Sequence, residues 1–147
     1  MNLLFVCLGN ICRSPMAAGI MQRIYEIEKL NGTIDSCGTM DWNAGNCADP
    51  RAIAVARSHG IDLSAHRARQ ITIADFETFD IIYAMDNANA ISLRKIAPSR
   101  HKHKIRLIGG ADEVIDPYHS NESAFRETYR MLDEYCRNEV RKGFKSR

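Results

Sequence analysis

The first fifteen residues constrain the fold more than any other feature of the sequence. Leu3 to Cys7 form a continuous apolar run of β-forming side chains, which is typical of a strand buried on both faces of a parallel sheet. Ser14 and Pro15 are the residue types that open helices, as the N-cap and the first helical position. The order predicts a strand, a loop over residues 8–13 and a helix capped by Ser14.

The rest of the chain continues the same alternation of strands and helices. Strands are predicted over residues 33–38, 79–84 and 104–108, and helices over 14–31, 49–59, 86–96 and 123–142. Such alternation predicts βαβ units and a parallel sheet covered by helices on both faces. The length of 147 residues, without a repeat or a linker, predicts one domain over residues 1–147.

Composition excludes several classes of partner. The net charge is only +2, which argues against nucleic acid or membrane as a general partner. Apolar runs stay well short of the roughly 20 residues that cross a bilayer, and the N-terminus lacks the pattern of a signal peptide. The five cysteines are irregularly spaced, which predicts neither a disulfide framework nor a metal site. A cytoplasmic location is therefore expected.

The loop after the first strand carries the groups needed to bind and attack a phosphate. Ligands of parallel sheets bind beyond the carboxyl ends of the strands, where Cys7 lies. Gly9 and Asn10 tolerate the left-handed backbone that turns loop amides inward, and Arg13 can grip two phosphate oxygens with its planar fork. The expected phosphate-binding residues are Leu8, Gly9, Asn10, Ile11, Cys12 and Ser14.

Cys7 is the predicted nucleophile. A thiol beside a helix N-terminus and an arginine ionises readily, so Cys7 is expected to be a thiolate that needs no separate base. The hydroxyl of Ser14 can hydrogen-bond the sulfur. The plain alternative is a buried structural Cys7 with Arg13 on a solvated face, but a strand before and a capped helix after the motif make that coincidence improbable.

At this point the chain resembles the low molecular weight protein tyrosine phosphatases. The loop from Val6 to Pro15 is similar to the family signature at every position. Further similar stretches are Gly38 to Gly45, Asp49 to Ala52, Ser64 to Gln70, Ala84 to Asn89 and Asp116 to Tyr118. The resemblance covers essentially the whole chain.

The resemblance implies a four-stranded parallel sheet and a cysteine-dependent hydrolase without metal or organic cofactor. It implies that Cys7 is the nucleophile, Arg13 the phosphate clamp and Asp116 the general acid. By itself, Asp116 would be one acidic residue among 18, and its Asp-Pro pair a common turn. The implied substrates are phosphotyrosine-containing proteins, and the implied product is inorganic phosphate.

The resemblance also implies roles around the loop. Asn10 would hold the loop conformation, His66 would be a hydrogen-bonded structural histidine, and Cys12 would form a reversible disulfide with Cys7 under oxidation. Trp42 and Tyr118 would line the cleft. Where many relatives have a second tyrosine after Tyr118 this chain has His119, which changes the rim of that cleft.

Two other functions share these residues. An arsenate reductase of the same fold would need further cysteines to relay a disulfide, and residues 85–98 contain none. A non-catalytic phosphotyrosine-binding module would be expected to lack Cys7, Arg13 or Asp116, and all three are present. The sequence therefore favours the phosphatase.

Overall fold

A computed structural model describes residues 1–145, so the last two residues of the predicted domain lie outside the described range. The strands are β1 (Leu3–Cys7), β2 (Ile34–Gly38), β3 (Ile81–Ala84) and β4 (Ile105–Leu107). The helices are α1 (Arg13–Glu28), α2 (Pro50–Ser58), α3 (Ile73–Thr78), α4 (Asn87–Ile96) and α5 (Glu122–Arg141), with a 3₁₀ helix at Ser99–Lys104. The predicted α/β alternation is confirmed.

The four strands form one parallel sheet in the order β2-β1-β3-β4. β1 is central, and Leu3 pairs with Ile34 on one side and Ile81 on the other. The chain therefore leaves β1 in one direction and later returns to its other edge. Such a switch point opens a crevice at the carboxyl ends of the strands, directly beyond Cys7.

Helices cover both faces of the sheet, because successive strand side chains point to opposite sides. Leu3, Phe5 and Cys7 join the core beneath α1, α2 and α5, where Phe5 stacks on Tyr83 with ring centroids 5.1 Å apart. Leu4 and Val6 join a second core beneath α3 and α4. All five residues of β1 are buried, as the continuous apolar run predicts.

At two points the local structure differs from the sequence-based expectation. α1 begins at Arg13, and its N-cap position is Cys12, which makes no side-chain capping bond. Ser14 is thus inside the first turn, because its hydroxyl is used by the loop rather than by the helix end. The short helix α3 was not predicted, although Thr72 and Asp75 form a capping box at its start.

Candidate active site

The loop between β1 and α1 wraps around an open centre above Cys7. Cys7 is only 3% exposed at the end of its strand. Within residues 1–145, no protein acceptor is bonded by the backbone N–H groups of Leu8, Gly9, Asn10, Ile11 and Cys12. Unpaired amides next to a helix N-terminus bind anions. The loop therefore has the donors that the predicted phosphate site requires.

Asn10 holds the loop from within. Its backbone has a φ of 60°, the left-handed conformation that the sequence predicted. The fully buried side chain donates from Nδ2 to the hydroxyls of Ser14 at 2.8 Å and Ser36 at 3.0 Å, while Oδ1 accepts from the Arg69 amide at 3.0 Å. His66 Nε2 donates to the Asn10 carbonyl over 2.7 Å. These bonds fix a backbone conformation that is strained for a residue with a side chain.

Gly9 serves the loop in a different way from the one predicted. Its φ is not in the left-handed region, so that prediction is wrong. A Cβ atom on Gly9 would instead lie 2.6 Å from Nδ2 of Asn43. Asn43 approaches the Gly9 carbonyl at 3.5 Å, so a side chain at position 9 would displace Asn43 from the cleft wall.

Arg13 is fixed in place by groups from distant parts of the chain. Its Nη1 donates to Asp86 Oδ2 at 2.8 Å and to the Val114 carbonyl at 2.7 Å. Asp86 also caps α4, because its other oxygen accepts from the Asn89 amide. A guanidinium that is 3% exposed and held in this way keeps its fork pre-oriented.

Asp116 lines the same opening as the loop residues and approaches Arg13. Its Oδ2 is 3.7 Å from Nη2 of Arg13, and its side chain is 42% exposed. Its Oδ1 accepts a hydrogen bond from the Tyr118 amide at 3.1 Å. A half-exposed carboxyl group beside a buried arginine can exchange protons with both a bound ligand and water.

One cavity of about 240 Å³ joins most of the predicted site residues. It is lined by Cys7, Leu8, Gly9, Ile11, Cys12, Arg13, Trp42, Asn43, Asp116, Tyr118 and His119. Asn10 and Ser14 are fully buried behind it. Trp42 is 66% exposed and Tyr118 44%, so these aromatic walls stand at the mouth of the cavity.

Two titratable neighbours of the loop are held neutral. Burial raises the pKa of the Cys12 thiol, and the nearby charges of Asp49, Cys7 and Asp116 raise it further. Burial lowers the pKa of His66, although its bond to the Asn10 carbonyl opposes the shift. Cys12 is thus a neutral thiol, and neutral His66 fits the structural role expected for it.

Three residues of the site were not predicted. Asn43 lines the cavity, and its position beside Trp42 in a polar, glycine-containing stretch was the only signal for it. Asp86 is the first residue of the helix predicted over 86–96, and no local sequence pattern indicates its bond to Arg13. Ser36 supports Asn10 from β2, which the sequence does not indicate.

In the described range, no three His, Cys, Asp or Glu side chains cluster closely enough to hold a metal ion. Among the helices of residues 1–145, none has the length and apolar character to cross a bilayer.

Comparison with known proteins gives concordant results. A family model described as low molecular weight phosphotyrosine protein phosphatase matches residues 2–144. The Sus scrofa protein of that name is 41% identical over 145 residues, which cover 92% of this chain and 91% of its own.

Solved structures agree with the sequence match. A protein tyrosine phosphatase from Entamoeba histolytica has a TM-score of 0.91 at 36% identity and covers 97% of this chain and 98% of its own. Vibrio vulnificus Wzb, solved in complex with benzylphosphonate, has a TM-score of 0.88 at 31% identity, with coverages of 96% and 97%. These matches support the phosphatase interpretation and neither alternative. The resemblance seen in the sequence is confirmed, and the chain belongs to the low molecular weight phosphotyrosine protein phosphatase family.

Proposed function

We propose that this phosphotyrosine phosphatase works through Cys7 as nucleophile, Arg13 as phosphate clamp and Asp116 as general acid and base. One observation carries the assignment. The three side chains line the same cavity, and Asp116 Oδ2 lies 3.7 Å from Arg13 Nη2. The nucleophile, the positive charge and the acid can therefore all reach the same phosphate group.

The first step transfers the phosphoryl group to sulfur. The Cys7 thiolate attacks phosphorus, the bond from phosphorus to the aryl oxygen breaks, and protonated Asp116 gives its proton to the departing oxygen. Arg13 and the amides of residues 8–12 hold the charge on the equatorial oxygens. Preorganised donors of this kind are usually the largest catalytic contribution.

The second step releases inorganic phosphate. Asp116, now a carboxylate, takes a proton from a water molecule as the water attacks phosphorus, and the bond from sulfur to phosphorus breaks. The thiolate and the protonated acid are both regenerated. Ser14 Oγ, 3.0 Å from Cys7 Sγ, stabilises the departing sulfur.

Trp42, Tyr118 and His119 form the walls that receive the aromatic ring of the substrate. The rings of Tyr118 and His119 meet edge to face with centroids 4.9 Å apart. Aromatic walls suit a phenyl leaving group. The benzylphosphonate complex of Wzb supports a phosphorylated or phosphonylated aromatic compound as the ligand class.

We further propose that residues 1–147 form one domain that acts in the cytoplasm on phosphotyrosine-containing proteins, with no nucleic acid, membrane, metal or organic cofactor involved. Two features support this proposal. The family match already spans residues 2–144, and the two chemical steps need only the side chains named above.

The test is hydrolysis of 4-nitrophenyl phosphate by purified protein in the presence of EDTA. We expect steady turnover by the wild type and by Cys47→Ser, which changes an exposed thiol away from the cavity. Cys7→Ser should have no measurable turnover while still binding inorganic phosphate. Wild-type turnover by Cys7→Ser would refute the assignment, and loss of wild-type activity with EDTA would refute the cofactor-free mechanism.

A further inference from the structure

The loop that carries Asp116 has little structure of its own. Residues 108–121 connect β4 to α5 without a helix or a strand of the sheet. Val114 ties the loop to the end of β3, where its amide donates to the Met85 carbonyl at 2.8 Å. Beyond Asp116, the loop's own bonds are local, from the Tyr118 amide to Asp116 Oδ1 and from the Ser120 amide to the Pro117 carbonyl. A side chain of another element joins this segment to the rest of the fold.

That contact is the guanidinium of Arg51 on α2. Nη2 donates to the Tyr118 carbonyl at 2.9 Å, and Nη1 donates to the Ser120 carbonyl at 2.8 Å. The same group lies over the rings of Phe125, 4.4 Å from the centroid, and Tyr118, 5.7 Å away. One side chain therefore holds both the backbone and the aromatic face of the segment that follows Asp116.

Asp49 holds Arg51 in turn. Its carboxylate accepts from Arg51 Nε at 3.0 Å and from Nη2 at 2.9 Å, a two-point contact. Asp49 is 8% exposed, and its backbone amide donates to the Ile11 carbonyl of the phosphate loop at 2.8 Å. A continuous path of hydrogen bonds thus links the phosphate loop to the loop of the acid.

Resting on the proposed function, we infer that Arg51 is a positioning residue that sets the acid loop over the phosphate loop. It does not line the cavity, so it acts through Asp116. The placement matters because a catalytic proton donor must lie within hydrogen-bond reach of the leaving oxygen. Misplacement by about 1 Å can cost on the order of 100-fold in rate.

Arginine suits this role in a way that lysine does not. The planar fork donates in four directions here, to two carboxylate oxygens and two carbonyl oxygens. A lysine ammonium is a point charge with three donors and no flat face to lie on aromatic rings. Arg51→Lys should therefore behave as a weaker version of Arg51→Ala.

Comparing two leaving groups separates a misplaced acid from a general loss of stability, because a loss of stability would lower the activity on both substrates equally. Phenolate leaves poorly and needs the proton of the acid, whereas 4-nitrophenolate leaves well and needs it less. We expect Arg51→Ala to lower kcat/KM about tenfold or more for phenyl phosphate, with a clearly smaller loss for 4-nitrophenyl phosphate. The inhibition constant of inorganic phosphate should stay within about twofold of wild type, since phosphate binding does not use the acid.

A double-mutant cycle completes the test. In an Asp116→Ala background, Arg51→Ala should cause no further loss of kcat/KM, because the group that it positions is gone. Arg57→Ala, an exposed arginine at the end of the same helix, is the matched control and should match wild type on both substrates. Arg51→Lys gives the same comparison if Arg51→Ala proves too unstable to purify.

Two results would overturn the inference while leaving the proposed function intact. One is that Arg51→Ala lowers kcat/KM equally for both substrates. The other is that its effect adds fully to that of Asp116→Ala in the double variant. The proposed function itself would fail at a different point, namely if Asp116→Ala were as fast as wild type on phenyl phosphate.

Discussion

Cys7 Sγ and Ser14 Oγ lie 3.0 Å apart in the buried base of the phosphate loop. Asn10 Nδ2 donates to the same hydroxyl oxygen at 2.8 Å. The oxygen therefore already accepts a hydrogen bond, and its own proton can be donated either to the sulfur at 3.0 Å or to the Cys37 carbonyl at 3.4 Å. A thiolate has no proton to give, so Ser14 must be the donor whenever Cys7 is ionised.

Ser14→Ala should slow turnover by about 10- to 100-fold, because a hydrogen bond to a charged group contributes roughly 1.5–3 kcal/mol. Inorganic phosphate should bind nearly as well as to wild type, since its amide donors remain. Steady-state kinetics with phosphate inhibition measures both quantities. Ser36→Ala, which removes the other hydroxyl bonded to Asn10, is the control and should cost much less; equal effects would assign the loss to Asn10 instead.

Asp116→Ala should lower turnover by about 10²- to 10⁴-fold, the usual contribution of a positioned acid. The loss should be greater for phenyl phosphate than for 4-nitrophenyl phosphate. Asp112→Asn, a nearby acid outside the cavity, provides the comparison. A large loss in Asp112→Asn with none in Asp116→Ala would place the acid elsewhere in the loop.

Asn10→Ala should lower the free energy of unfolding by roughly 2–4 kcal/mol, since it leaves buried partners without their hydrogen bonds. Urea denaturation gives this value. Asn10→Gly loses the same bonds but accepts the left-handed backbone, so it should be about 1 kcal/mol more stable than Asn10→Ala. If both variants matched wild type, the side chain would not be what holds the loop.

Stability should fall as the pH drops below about 6.5, the unshifted value for His66. Burial lowers the folded pKa of His66, so in this range the unfolded chain takes up a proton that the folded chain refuses. The contribution of His66 to the free energy of unfolding is therefore complete above about pH 6.5 and decreases as the pH falls. The decrease stops once the pH is below the lowered pKa of the folded state. Urea denaturation from pH 7.5 to 5 gives the free energy of unfolding at each pH. This free energy should depend less steeply on pH in His66→Gln than in wild type, and equal pH dependence would contradict the prediction.

Peroxide should inactivate the wild type in a way that dithiothreitol reverses. Peroxide oxidises the Cys7 thiolate to a sulfenic acid, which condenses with the Cys12 thiol to give a disulfide and water. Cys12→Ser should recover much less activity after the same treatment, because the sulfenic acid oxidises further. Recovery equal to that of Cys47→Ser, which keeps both loop cysteines, would exclude a protective disulfide.

The local parts of this site could be predicted from sequence because neighbouring residues build them. The apolar run of β1, the left-handed Asn10 and the Asp49 cap before Pro50 each depend on a few adjacent positions. Ser14 shows the limit of that approach. A serine before a proline suggests a helix cap, yet tertiary contacts with Cys7 and Asn10 use its hydroxyl instead.

The long-range parts could not be derived from pattern. Asp86 caps α4 with one oxygen and binds Arg13 with the other, and sequence spacing reports only the first contact. The assignment of Asp116 as the acid came from the family resemblance, because its Asp-Pro pair alone is a common turn. The six-residue helix α3 is too short for its periodicity to be recognised.

The central claim is that phosphate passes through a covalent bond to Cys7. Rapid mixing of enzyme with an aryl phosphate, followed by quenching and peptide mass spectrometry, tests it directly. The account predicts a phosphate on the peptide that contains Cys7, formed as fast as the first equivalent of phenol is released. Phenol release with no phosphate on that sulfur at any time during turnover would contradict it.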